Sequence, residues 1–120
     1  MKRSSLVMAA LSLLPLQAIS DNYAGSPDVA NCPENFHSIA LHQDAKLCQI
    51  FDEGLPATLV YHLKLSPNQV VTYYTQADGF EVRSVVGERT LISNNQDSKR
   101  IVISPDGKGT QIDILVISTN

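Results

Sequence analysis

The chain carries no run of basic residues longer than the pairs Lys2-Arg3 and Lys99-Arg100. A nucleic-acid-binding surface or an anionic-membrane anchor draws on clustered cations, so the missing run argues against both partner classes. No apolar stretch after residue 16 is long enough to span a bilayer. There is no phosphate-cradling glycine loop, no dinucleotide fingerprint, no Gly-x-Ser-x-Gly elbow and no His-Glu-x-x-His pair. Nucleotide, flavin, serine-hydrolase and zinc-protease chemistry therefore have no foothold, and no cofactor is expected. Internal repeats and low-complexity tracts are absent as well. Cysteine is scarce, with only two copies, and their separation rules out the close Cys-x-x-Cys spacing of a redox pair.

What the N-terminus does contain is a signal-peptide pattern: cations at Lys2 and Arg3, an apolar run from Leu6 to Leu16, and small residues in Ala18-Ile19-Ser20. Cleavage is expected after Ser20, and an uncleaved anchor is the alternative. Val29-Ala30-Asn31-Cys32 superficially resembles a lipid-attachment box, but asparagine before the cysteine and the distance from the apolar run exclude it. The expected organisation is a signal peptide over 1–20, a flexible lead over 21–31 with Gly25, Ser26 and Pro27, and one small domain over 32–120. Without Lys2 and Arg3 the chain keeps 7 basic against 12 acidic residues. It is expected to be exported, periplasmic or secreted, with no membrane span once the signal is removed. In such a compartment an even cysteine count points to a disulfide, here Cys32–Cys48, closing a loop for which chain entropy gives roughly 3 kcal/mol.

Leu65-Ser66-Pro67-Asn68-Gln69-Val70 is the most informative stretch. Ser66 suits an N-cap, Pro67 the first helical position, and Gln69 the reciprocal partner of a capping box. Leu65 and Val70 have the spacing of a hydrophobic staple. Val70, Tyr73, Tyr74 and Ala77 then mark one buried face, and Asp78-Gly79 stops the helix. The helix should run from Pro67 to Ala77. Before it, Ala45 to Phe51 suggests a short strand, Asp52 to Pro56 a turn, and Thr58 to Leu65 a strand with Leu59, Tyr61, Leu63 and Leu65 on one face. The part from Cys32 to Gln43 shows no clear period.

After the helix, Phe80 to Val86 alternates, with Phe80, Val82, Ser84 and Val86 expected to face the core opposite Glu81 and Arg83. Gly87-Glu88 permits a turn into a strand over Arg89 to Ser93, and Asn94 to Ser98 is a polar loop. Lys99 to Ser104 forms the next strand, and Pro105 to Gly109 a hairpin turn. Thr110 to Ser118 closes the pattern, with Leu115 and Ile117 interrupting its polar face. The fold class is α+β: two layers, one short helix packed on a mainly antiparallel sheet of about five strands, arranged strand, helix, then meander.

Three residues offer weak metal-ligand candidates, His37, His42 and Asp44, since imidazole and carboxylate suit several transition metals. Their spacing fits no zinc motif, and exposed loop histidines explain them as well. His62 lies mid-strand; a general base there needs an orienting carboxylate, for which Asp113 and Glu81 are candidates across the sheet. Asp52-Glu53 is an adjacent pair whose side chains diverge, unsuited to acid/base work. Tyr73 and Tyr74 suit the core with their hydroxyls at its rim. No catalytic residues emerge. The expected function is a non-enzymatic exported domain binding another envelope protein or a peptide through its sheet, with the long, apolar last strand as a pairing edge. The alternatives are a metal or small-ligand carrier on the His37/His42 segment and a small hydrolase around His62.

Overall fold

The computed structural model describes residues 29–119. The signal peptide and most of the lead expected before them lie outside the described residues. Within that lead, Val29–Ala30 form the short strand β1. A two-residue hairpin follows, β2 (Asn35–Phe36) and β3 (Ile39–Ala40), turning through His37 and Ser38 at positive φ. Next come β4 (Lys46–Phe51), β5 (Ala57–Leu63), the helix α1 (Pro67–Ala77), β6 (Glu81–Val86), β7 (Arg89–Ser93), β8 (Lys99–Asp106) and β9 (Gly109–Val116).

The fold is α+β, as expected, but the main sheet is larger than five strands. Its order is β1-β4-β5-β9-β8-β7-β6, and every pairing is antiparallel. The meander from β6 to β9 follows chain order. β9 then pairs with β5 from Ala57↔Val116 to Leu63↔Thr110, which inserts the pre-helix hairpin beside the end of the meander. The helix is the crossover between the middle of the sheet and its far edge.

The helix begins where local chemistry dictates. Ser66 Oγ accepts the Gln69 N–H at 3.3 Å, and Gln69 Oε1 accepts the Ser66 N–H at 2.9 Å, with Pro67 at the first position. It stops at Asp78, whose N–H donates to the Tyr74 carbonyl, and Gly79 follows at φ +71°. Val70 and Tyr74 are buried; Ala77 is exposed instead of core-facing. Beneath the helix, Leu59, Tyr61, Leu63, Ile92, Ile101, Ile103, Ile112, Ile114 and Val116 form the core face, closed at its rim by Phe36, Ile39, Leu41 and Phe80.

A helix is about 10 Å across and strands are about 4.8 Å apart, so one helix covers two or three strands. α1 packs on β7, β8 and β9. That corrects the reading of β6. All six of its residues are exposed, and of the expected apolar row only Phe80, just before the strand, is buried. A bulge between Val82 and Ser84 also shifts the alternation. The β8–β9 turn is tighter than expected: the ladder continues through Pro105 and Asp106, leaving a two-residue Gly107-Lys108 loop with Gly107 at φ +61°. Pro105 is tolerated because its position lies past the end of β7, whose pairing stops at Thr90↔Ile103.

The segment before β4 is fixed twice. Cys32 and Cys48 form the expected disulfide, the kind of bond that persists in an oxidising compartment. No helix of the described residues is long and apolar enough to cross a membrane. The second fastening is a line of hydroxyls. The His42 N–H donates to Tyr61 Oη at 3.4 Å, the Tyr61 and Tyr74 hydroxyls are 2.6 Å apart, and Tyr74 Oη donates to the Ala40 carbonyl at 2.9 Å. Burial is the main cause that raises the Tyr61 and Tyr74 hydroxyls above the ordinary phenol range, Tyr74 the further of the two.

Two outcomes are expected from this arrangement. Ser66→Ala should cost about 1 kcal/mol in denaturant unfolding while leaving any binding activity intact; a folded variant with lost binding would show that the junction contributes directly to function. Alkali should unfold the protein through the tyrosine pair. Below about pH 10 both states keep these protons; above it the unfolded chain releases protons that the folded chain retains. Stability should then fall by up to about 1.4 kcal/mol per pH unit for each hydroxyl. Phenolate absorbance followed alongside circular dichroism should show the two buried tyrosines ionising only as the fold is lost.

Candidate functional site

The sequence-derived metal candidates are each engaged locally. His37 Nε2 lies 3.0 Å from Asp52 Oδ1, a contact between the β2–β3 turn and the loop after β4. His42 Nδ1 accepts the Asp44 N–H at 3.0 Å, a side-chain-closed turn, and its ring lies 5.0 Å from that of Tyr73. The Asp44 carboxylate is 3.9 Å from the same nitrogen and largely exposed. Cys32 and Cys48 are consumed by the disulfide. Among the described residues no three His, Cys, Asp or Glu side chains converge as metal ligands.

His62 does have a carboxylate, but neither of the expected ones. Glu81 belongs to β6, at the other edge of the sheet, where it meets Arg83. Asp113 stands in register with Val60 and accepts from Gln111 Nε2 at 3.0 Å. The partner is Asp106, whose Oδ2 lies 2.9 Å from His62 Nδ1. Asp106 comes from the end of β8, which the tight β8–β9 hairpin brings beside β5. A proton on Nδ1 directed at this carboxylate leaves Nε2 as a free acceptor. The pair sits at a cleft of about 640 Å³ lined by Lys46, Leu47, Leu63, Lys64, Lys108, Gly109 and Thr110 besides the two of them. The cleft's one hydroxyl, that of Thr110, is buried and donates to the Leu65 carbonyl at 2.7 Å. The geometry is thus an oriented histidine with no free hydroxyl or thiol beside it.

The cleft depends on one close approach. A Cβ on Gly109 would overlap the Leu63 carbonyl oxygen and crowd the Lys64 Cα, both backbone atoms that cannot swing aside. Glycine lets the hairpin press against the end of β5.

The sheet offers a different kind of surface. β9, expected as a pairing edge, lies between β5 and β8 and has no free edge along Gly109–Val116. Its long apolar character comes from being central: Ile112, Ile114 and Val116 are buried, while Leu115 and Ile117 look out on the face opposite the helix. The true ends of the sheet are β1 and β6. On β6, Val82, Val85 and Val86 are 49%, 63% and 74% exposed. The charged residues of this strand are turned back across the sheet: Arg83 Nε donates to Ser93 Oγ at 2.6 Å, one terminal nitrogen to the Asn94 carbonyl, and the other to Glu81. Leu47, Ile50, Phe51 and Leu55 form a second exposed apolar group on β4 and the loop after it. The hollow there, about 480 Å³, is lined by residues 50–56 alone and is a bend of a single loop.

Gly109→Ala should destabilise the protein by about 1–3 kcal/mol, the range for a group forced into filled space; a thermal midpoint equal to that of the native chain would show that the hairpin can move off β5 freely. No protein-family model, no curated protein and no solved structure matches this chain.

Proposed function

We propose that the protein is a non-enzymatic exported domain that binds an extended segment of another envelope protein, or a peptide, by strand addition along β6. The observation that carries this reading is the character of that edge: six residues, all exposed, with three valines and no strand on their outer side among the described residues. Main-chain N–H and C=O groups on an open edge supply affinity for an extended chain, and alternating pockets supply selectivity. The bulge at Val82/Ser84 is the sort of device that blunts an edge, so the regular pairing surface is Ser84 to Val86. With Glu81 and Arg83 satisfying each other, this edge presents little net charge, which favours an apolar partner strand over a charged one. The disulfide and the signal pattern of residues 1–20 support the exported setting, periplasmic or secreted.

A photo-crosslinking side chain placed at Val86, and separately at Phe51 as a control, tests the reading in envelope extract. One species should be trapped from Val86 but not from Phe51. Val85→Lys in the same background should reduce that capture at least tenfold while leaving the thermal midpoint nearly unchanged. Equal capture at both positions, or capture indifferent to Val85→Lys, would rule out β6 as the binding edge.

A further inference from the structure

The cleft at the end of β5 has a charge pattern that the edge-binding reading does not use. Lys46, Lys64, Lys99 and Lys108 are the lysines of the described residues, and three of the four line this one cleft. They do so on a chain whose net charge is −3. None of the ion pairs among the described residues involves a lysine. The cleft's own carboxylate, Asp106, is held by His62 at 2.9 Å. Asp44 lines only the adjoining, smaller hollow. A hydrogen bond from a neutral imidazole leaves the Asp106 charge in place, so the lining sets three lysines against one carboxylate and keeps a net excess of positive charge.

The remaining features specify the rest of a ligand. A volume of about 640 Å³ suits an organic molecule rather than a lone inorganic ion. Leu47 supplies an apolar wall: it stands at the bulge of β4 with φ +57° and is 58% exposed. The methylene stems of the lysines extend that wall, since such side chains lay their apolar length along a surface and keep the charge at the rim. We propose that this cleft binds an amphiphilic oxyanion, a carboxylate or phosphate carried on a hydrocarbon body, with the oxyanion at the three lysines and the body against Leu47.

Amide chemical shifts of the full chain, titrated separately with decanoate, decyl phosphate, acetate, inorganic phosphate and decyltrimethylammonium, test each part. Both decyl anions should shift Lys46, His62, Lys64 and Gly109 saturably. Acetate and inorganic phosphate should bind at least tenfold more weakly, and the cation should leave these signals unmoved. Lys46→Glu/Lys108→Glu should weaken decanoate at least tenfold, and Asp106→Asn should bind it at least as tightly as the native chain. Flotation with phosphatidylglycerol but not phosphatidylcholine vesicles would identify a membrane-held lipid as the source; response to the free decyl anions without flotation would identify a soluble amphiphile. The proposal is overturned by equal affinity for acetate and decanoate, by an equal response to the decyl cation, or by undiminished binding in a folded Lys46→Glu/Lys108→Glu variant.

Discussion

The line of hydroxyls from the His42 N–H through Tyr61 and Tyr74 to the Ala40 carbonyl is the interaction on which the rest of the fold depends. It joins three parts that no strand pairing connects: the segment after the β2–β3 hairpin, the central strand β5 and the helix. Direction along it is consistent. If Tyr74 gives its proton to Ala40, Tyr61 must give its own to Tyr74, and Tyr61 is then free to accept from His42. Each member is satisfied only while the others stay in place. A buried polar group deprived of its partner costs about 1–3 kcal/mol, so this small network resists piecemeal rearrangement. The disulfide holds the other end of the same segment to β4.

Within that frame the single helix is a scarce resource. It shields the middle of the sheet and leaves the flanks bare, and the two candidate surfaces lie on those flanks. β6 is open because the helix does not reach it. The lysine-lined cleft lies where the β8–β9 turn meets the end of β5, with His62 on the strand face turned away from the core. Binding in both proposals follows from shortage of cover rather than from a dedicated pocket built into the core.

How far the sequence revealed this depended on the distance over which each feature is determined. The helix bounds were legible to the residue, since the capping box at Ser66 and Gln69 and the stop at Asp78-Gly79 are local chemistry. The Gly87 and Gly107 turns and the disulfide were legible for similar reasons. The exposure of β6 was not, because alternation in a strand says which residues share a face and nothing about whether anything covers it. The central place of β9 was hidden too: it rests on pairing with β5, as in Thr58↔Leu115, and an apolar strand looks alike at an edge and between neighbours. Asp106 as the partner of His62 required the register of three strands. The β2–β3 hairpin, two residues on each side, is too short to show a period.

The place of β9 in the sheet has a consequence for how the molecule is made. The strand that separates β5 from the meander is the last of the described strands to be synthesised. Until it arrives, β4 and β5 on one side and β6 to β8 on the other are two fragments with no shared hydrogen bonds in the ladder, and the apolar row of Leu59, Tyr61 and Leu63 has no neighbour on its inner side. Pairings that join distant parts of a chain form late because the intervening loop must first be closed. The domain is therefore a lock whose bolt is delivered after all its other parts: without β9 nothing in the ladder joins β5 to β8.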